Sequence, residues 1–339
     1  MRFSTLEYTD QEAIFSQLQE QLKGTVSYNC GEYLINVDNE FANGTVRCVK
    51  VQNHKLFFEF DLKFYKDFEL RICDQQSSPV NFMYNLNDQI TLSLQGKDEE
   101  YTLEEFQTAI IFDKHYTPSF KFQADTTIKV CLISVYFPHN MEEASAIVSN
   151  IYSSFAKNSE SNNFIYLGSY NIKIATQIKK LNEITEEGIV RKLLIVGMVQ
   201  LILAMEIQHQ QDDLNNAGNP TVNLTKLELK SIRDLAQEIN EHVDVQYTLN
   251  YLTHKSCISA AKLQEGFKYL YGRTVTDYIR NVRLERAEQL IKTTDLNISE
   301  VVYSVGFSSR SYFSKIFKEK YSCSPKQYQD KLNYPAISA

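Results

Sequence analysis

Four side chains carry groups of the kind that read a nucleic-acid base edge. Gln264 can set an amide against adenine N6 and N7. Glu265 can accept from cytosine N4, and Arg310 or Lys315 can donate to guanine O6 and N7. They fall into two groups whose apolar neighbours, Leu263 with Phe267 and Phe313 with Phe317, have helical spacing and must face a core. That leaves Ala261, Lys262, Gln264, Glu265 and Lys268 outward in the first group, and Arg310, Ser311, Ser314, Lys315 and Lys318 in the second. The base-contact candidates are Ala261, Lys262, Gln264, Glu265, Arg310, Ser311, Ser314 and Lys315. Lys255, Lys268, Lys318 and Lys320 suit phosphate contacts, which position a protein without specifying sequence. Ser259 and Ser309 join them as N-caps, because a capped helix N-terminus can receive a phosphate. One lysine on a helix surface is ordinarily just solvated; a repeated arrangement of them calls for more.

The arrangement is repeated. Phe267, Lys268 and Tyr271 recur as Phe317, Lys318 and Tyr321, an offset of 50; Leu263 pairs with Phe313 and Tyr278 with Tyr328. Upstream the offset is 49, where Thr248, Leu249 and Leu252 match Asn297, Ile298 and Val301, so the second copy has one extra residue in its turn. Each copy reads as a short helix, a tight turn and a longer helix, the pattern of a helix-turn-helix. The first turn is expected at Cys257–Ser259 with Cys257 as a small buried residue, and the second at Gly306. Thr274-Val275-Thr276-Asp277 resembles a capping box and starts a connecting helix to about Lys292.

The segments Ile298-Ser299-Glu300-Val301-Val302, Val305-Gly306-Phe307-Ser308, Ser311 to Lys318 and Ser324-Pro325-Lys326-Gln327-Tyr328 resemble the C-terminal signature of AraC/XylS-family transcription regulators. Tyr278-Ile279-Arg280 and Arg283-Leu284-Glu285-Arg286-Ala287 are similar to that family's linker helix. The resemblance covers about 225–332. It implies double-stranded DNA as a partner, two recognition helices in successive major grooves, and recruitment of RNA polymerase by an activator. Gln329 stands where the family usually has Arg after the final Tyr, and Glu265 where the first recognition helix usually has Arg.

The rest of the chain differs in charge and pattern. The 339 residues carry a net charge of −7. Residues 221–339 hold 17 Lys and Arg against 13 Asp and Glu, leaving 18 against 29 for residues 1–220, so the C-terminal end is the positive one. Ten short stretches between Val26 and Phe137 are rich in β-branched and aromatic residues, with Asn43-Gly44 and Gln95-Gly96-Lys97 as turns between strands. The expected fold is α+β and multidomain: a β-rich, cupin-like barrel over 1–140, a helical segment over 141–215, a linker over 216–225, and an all-α domain with two helix-turn-helix units over 226–332. The cupin-like outline is what the family resemblance implies for the N-terminal half.

Within 141–215 the run Leu193–Met205 is the most apolar, and at thirteen residues it is too short to span a bilayer. Its stripe of Leu193, Val196, Val199, Leu203 and Ile207 is the expected contact of a homodimer. Six cysteines without a Cys-x-x-Cys pair or zinc spacing suit reduced thiols in a cytoplasm, and Met1–Asp10 lacks the features of a signal peptide. A metal-cupin enzyme would need clustered ligands; His54, His115 and His139 are isolated in sequence, so neither metal, cofactor nor enzymatic activity is expected. Two readings of the N-terminal half stay open: a sensor of an unidentified small effector, or an assembly or protein-binding module on a constitutive DNA-binding protein.

Overall fold

The computed structural model describes residues 2–7, 11–51, 54–73, 79–94, 99–114, 117–138, 144–157, 163–215 and 224–333. The chain divides into two compact units, residues 1–218 and 219–339. His115, His139, the Gln95-Gly96-Lys97 turn and most of the expected linker lie outside the described residues.

Period-two alternation builds the first unit. Its eight-stranded sheet uses β2 (Thr25–Asn29), β3 (Glu32–Asp38), β4 (Ala42–Lys50), β5 (Lys55–Phe64), β7 (Val80–Asn85), β10 (Gln107–Asp113), β12 (Thr127–Val135) and β13 (Asn163–Tyr170), in the order β13-β10-β7-β12-β5-β4-β3-β2. The five-stranded sheet runs β1 (Arg2–Glu7), β6 (Phe68–Cys73), β11 (Pro118–Phe122), β8 (Ile90–Leu94) and β9 (Glu100–Leu103), with β1 parallel to β6. Alternate residues of both sheets meet in one core, where Phe58, Phe60 and Leu132 of the larger sheet share a cluster with Leu92, Phe120 and Phe122 of the smaller. Helix α1 (Gln11–Leu22) adds Ile14, Phe15, Leu18 and Leu22 to it. Among the described residues the strands form two sheets sharing a core, and the cupin-like barrel implied by the resemblance is not seen as a closed one. The sequence also hid three strands, β1, β9 and β13. β13 lies in the stretch expected to be helical and pairs with the edge of β10.

The other face of the larger sheet also alternates apolar, because helices cover it. Val80, Phe82 and Tyr84 of β7 and Cys131, Ile133 and Val135 of β12 pack against α2 (Ala146–Ile151, continued by a π-helical turn, Tyr152–Lys157), α3 (Ile172–Asn182) and α4 (Gly188–Asn215). Asn43-Gly44 is no turn: it lies within β4, where Gly44 has φ +134° and a Cβ would come 2.1 Å from the Asp61 carbonyl oxygen. Only a residue without a side chain fits that approach.

The expected dimer stripe on α4 is corrected by burial. Val199 and Leu203 are buried in the core of their own unit, Val196 and Ile207 pack partly buried against it, and only Leu193 is exposed, at 65%. The outward apolar face is set by Val190, Leu194, Gly197, Leu201 and Ala204. The sequence pattern misled because α4 is apolar nearly all round, so periodicity alone does not choose the inward side. At 28 residues α4 is, by length and composition, long enough and apolar enough to cross a bilayer. Its inward side carries the buried Glu206, His209 and Gln210 as well as aliphatic residues.

Candidate nucleic-acid interface

The second unit begins with α5 (Lys226–Glu241), capped by a reciprocal box in which Thr225 Oγ1 accepts from Glu228 N and Glu228 Oε2 accepts from Thr225 N. The repeated elements follow. A short helix α6 (Leu249–Ser256) precedes α7 (Ala260–Tyr271), and α9 (Ile298–Ser304) precedes α10 (Arg310–Tyr321); α8 (Val275–Thr293) joins the pairs and α11 (Pro325–Asn333) ends the unit. The copies agree side chain by side chain. Helices α7 and α10 are both twelve residues long, Ser259 and Ser309 accept at their N-termini from Lys262 N and Tyr312 N, and both C-caps are left-handed, Gly272 at φ 70° and Ser322 at φ 62°. Phe267 packs on Tyr271 and Tyr278 at 5.4 and 5.3 Å between ring centroids, and Phe317 on Tyr321 and Tyr328 at 4.5 and 5.6 Å. These aromatic residues are core and not stacking platforms.

The linker helix fixes both units. Its Tyr278 closes the first aromatic cluster, while Leu284, Ala287 and Ile291 lie in the core of the second unit with Val301, Phe307, Phe313 and Phe317. Arg283 is a positioning residue that spacing alone did not single out. Its Nε donates to Val243 O at 2.9 Å and its Nη2 to Val245 O at 2.7 Å, and the guanidinium lies 5.7 Å from the Phe307 ring. Gln246 Nε2 donates to Gly306 O in the same turn. Gly306 has φ 83°, and a Cβ there would meet Asp244 O at 2.8 Å. In the first copy Cys257 takes the left-handed conformation at φ 55° and is exposed, contrary to the expected buried thiol; the turn needs its backbone shape, and its side chain points away from the core.

The candidate contacts divide once their partners are known. On α7, Ala261, Glu265 and Lys268 are exposed, and Ser259 is exposed at the cap. Lys262 is half-buried and its Nζ pairs with Glu228 Oε1 at 2.7 Å. Gln264 is also half-buried: its Oε1 accepts from Val275 N at 3.2 Å, capping the linker helix, so its amide oxygen is committed within the protein. On α10, Arg310, Ser311, Lys315 and Lys318 are exposed and Ser314 is half-buried, with Ser309 exposed at the cap. Among the described residues Arg310, Lys315 and Lys318 have no ion pair within 4.0 Å. Lys320 Nζ is held by Asn281 Oδ1 at 2.7 Å and Glu285 Oε1 at 3.0 Å, and Lys255 by Glu238 Oε2 at 2.7 Å. The pairing with Glu238 pushes the Lys255 ammonium above its ordinary range. Outward charge is thus concentrated on α10, and α7 presents Lys268 beside Glu265. Tyr312, 47% exposed next to Ser311, belongs to the α10 surface and was not among the candidates; a polar-tipped ring is hard to assign to core or surface from sequence. Gln329, in place of the family's usual Arg, donates through Nε2 to Leu296 O at 2.9 Å, an internal tie.

Comparison with known proteins agrees with this geometry. A helix-turn-helix domain family matches residues 252–331. The Escherichia coli K12 regulatory protein SoxS is 32% identical over 103 residues, which are 30% of this chain and 96% of SoxS. The chain belongs to the AraC/XylS family. The transcriptional regulator AlkR of Acinetobacter baylyi is 30% identical over 129 residues, 38% of this chain and 42% of that protein, so the chain spans less than half the length of this relative. Among solved structures, the C-terminal domain of the response regulator yesN from Fusobacterium nucleatum is 37% identical, covering 29% of this chain and 96% of that one, with a TM-score of 0.27. As a member of this family the chain carries an AraC-type DNA-binding domain at its C-terminal end.

Proposed function

We propose that the protein is a sequence-specific transcription regulator whose two recognition helices, α7 and α10, enter successive major grooves of double-stranded DNA. The observation that carries the reading is the duplicated helix-turn-helix with an outward face of Arg310, Ser311, Lys315 and Lys318 on α10, free of internal ion pairs among the described residues. A helix fits the major groove, and residues near its N-terminus reach base edges. On this reading α10 supplies most of the affinity. Ala261, Glu265 and Lys268 tune sequence preference on α7, where Glu265 repels nearby phosphate. Lys262, Gln264, Lys255 and Lys320 act mainly by holding the fold. In vitro selection of bound DNA from a random pool tests the function. The expected result is an enriched motif of two half-sites about 10 base pairs apart, and recovery of no motif would overturn it.

The N-terminal unit, on the same reading, senses a small effector and pairs two copies of the chain in the cytoplasm, and RNA polymerase is recruited by the bound protein. Pairing is placed on the outward face of α4, where Val190, Leu194, Gly197, Leu201 and Ala204 follow alternating steps of four and three residues, the spacing of a coiled-coil seam. An effector that favours one arrangement of the pair would change which half-sites are held together.

A further inference from the structure

The helix-covered face of the larger sheet is mostly apolar; Lys55 of β5, whose Nζ donates to Gln200 Oε1 of α4 at 3.4 Å, is one polar exception, and a polar row crosses the sheet four residues further along β5. Register places Thr108 of β10 opposite Tyr84 of β7, Tyr84 opposite Cys131 of β12, and Cys131 opposite Glu59 of β5. Helix α4 brings Glu206 near the middle of this row, where its charge acts on both Tyr84 and Cys131. One turn further on, the ring of His209 comes to 2.9 Å from Ser169 O of β13, the edge strand. Glu206 is 1% exposed and Thr108 is fully buried, and among the described residues neither Glu206 Oε2 nor Thr108 Oγ1 has a hydrogen-bond partner. The Tyr84 hydroxyl is spent on Asn171 O at 2.6 Å. Further along the row, Arg47 is held by Glu59 at 2.9 Å and Glu32 at 3.5 Å. Ile110, Val199, Ile202 and Leu203 supply the hydrocarbon of this part of the core, and one turn along α4 the buried His209 and Gln210 are polar. Burial pushes its carboxyl well above the usual carboxylate range.

A buried carboxyl with a bare oxygen is a cost that the surrounding packing does not return. A neutral donor would satisfy one hydrogen bond; a cation would also restore the charge. We propose that this seam binds an organic primary ammonium ion, with Glu206 as its counter-ion and Thr108 Oγ1 as a second acceptor. An ammonium group has three donors and no acceptor, which matches two acceptors set in an apolar wall. The site lies outside the core shared by the two sheets, between the larger sheet and α4, the helix that ends the described part of the first unit. The inference rests on the reading that the N-terminal unit takes a small effector.

The test uses the full chain and n-butylammonium chloride, with sodium chloride at equal ionic strength and n-butanol as controls, followed by thermal unfolding. Wild type should unfold at a temperature that rises with n-butylammonium concentration, and n-butanol should give no such rise. Glu206→Met and Glu206→Gln should both lose the response, and Glu206→Met should unfold higher than wild type without any ligand. The proposal is overturned if wild type does not respond, if n-butanol acts equally, or if both variants respond as wild type does. Gel-shift titration on the selected DNA site, with and without n-butylammonium, then separates site from role. A change in affinity of about fivefold or more supports the effector role. An unchanged DNA affinity beside a retained, Glu206-dependent thermal shift leaves the site standing and removes its role as effector site.

Discussion

At the scale of single residues, equivalent positions in the two copies carry different charges. Glu265 stands at the place that Lys315 fills in the second copy, and Ala260 at that of Arg310. Replacing Glu265 with Ala removes a charge that repels phosphate. Its expected effect is a changed base preference in a repeated selection and equal or tighter binding to non-specific DNA at low salt. Gln264 illustrates the opposite case. Its chemistry suits adenine, but its Oε1 caps Val275 N, so Gln264→Ala should lower stability by about 1 kcal/mol, read by chemical denaturation. The selected motif should hardly change. Glu206 gives a prediction in pH. Its folded carboxyl titrates above the ordinary value of 4.5 because burial disfavours the charge, and the titratable side chains facing it are Tyr84 of β7 and Cys131 of β12. Between 4.5 and the raised value the folded state holds a proton that the unfolded state has lost, so stability falls as pH rises through that window. Glu206→Met should remove that slope, as measured by the denaturation midpoint against pH.

Elements succeed or fail by their packing. The paired helices were legible because helical spacing, Ser caps and an internal repeat all point the same way for Leu263, Phe267, Phe313 and Phe317, and every one of these is buried. Strand β13 was not legible, since Asn163–Tyr170 follows a helix and gains its identity only by pairing with β10, a contact between residues far apart in sequence. The buried side of α4 was lost for a related reason: an apolar residue on every face leaves its orientation to tertiary packing. On the candidate interface, spacing located the helices and an outward set of side chains, but it could not show that Glu228 would neutralise Lys262 or that Glu285 would hold Lys320. Those ion pairs join elements whose relative placement spacing does not encode. The turn of the second copy is the most demanding element. Gly306→Ala combines a left-handed backbone with a Cβ 2.8 Å from Asp244 O. It should destabilise the C-terminal unit by about 1–3 kcal/mol, seen as a lower denaturation midpoint. An unchanged midpoint would mean that the turn can relax in another way.

For the whole molecule, the proposed function joins a sensing and pairing N-terminal unit to a C-terminal AraC-type DNA-binding domain. Pairing through the outward face of α4 predicts that Leu201→Glu gives a monomer by light scattering, because a charge would be placed in the middle of the seam. Val199→Ala, on the buried side, should instead lower stability and leave the mass unchanged. A dimer that survives Leu201→Glu would move the interface elsewhere. The unequal charge of the two recognition helices is the centre of the account, and the salt dependence of binding tests it most directly. Gel-shift titrations of wild type and Lys315→Ala on the selected site, across a range of salt, should show weaker binding for the variant and a log–log slope shallower by about one. Unchanged affinity and slope would contradict the placement of α10 on the DNA.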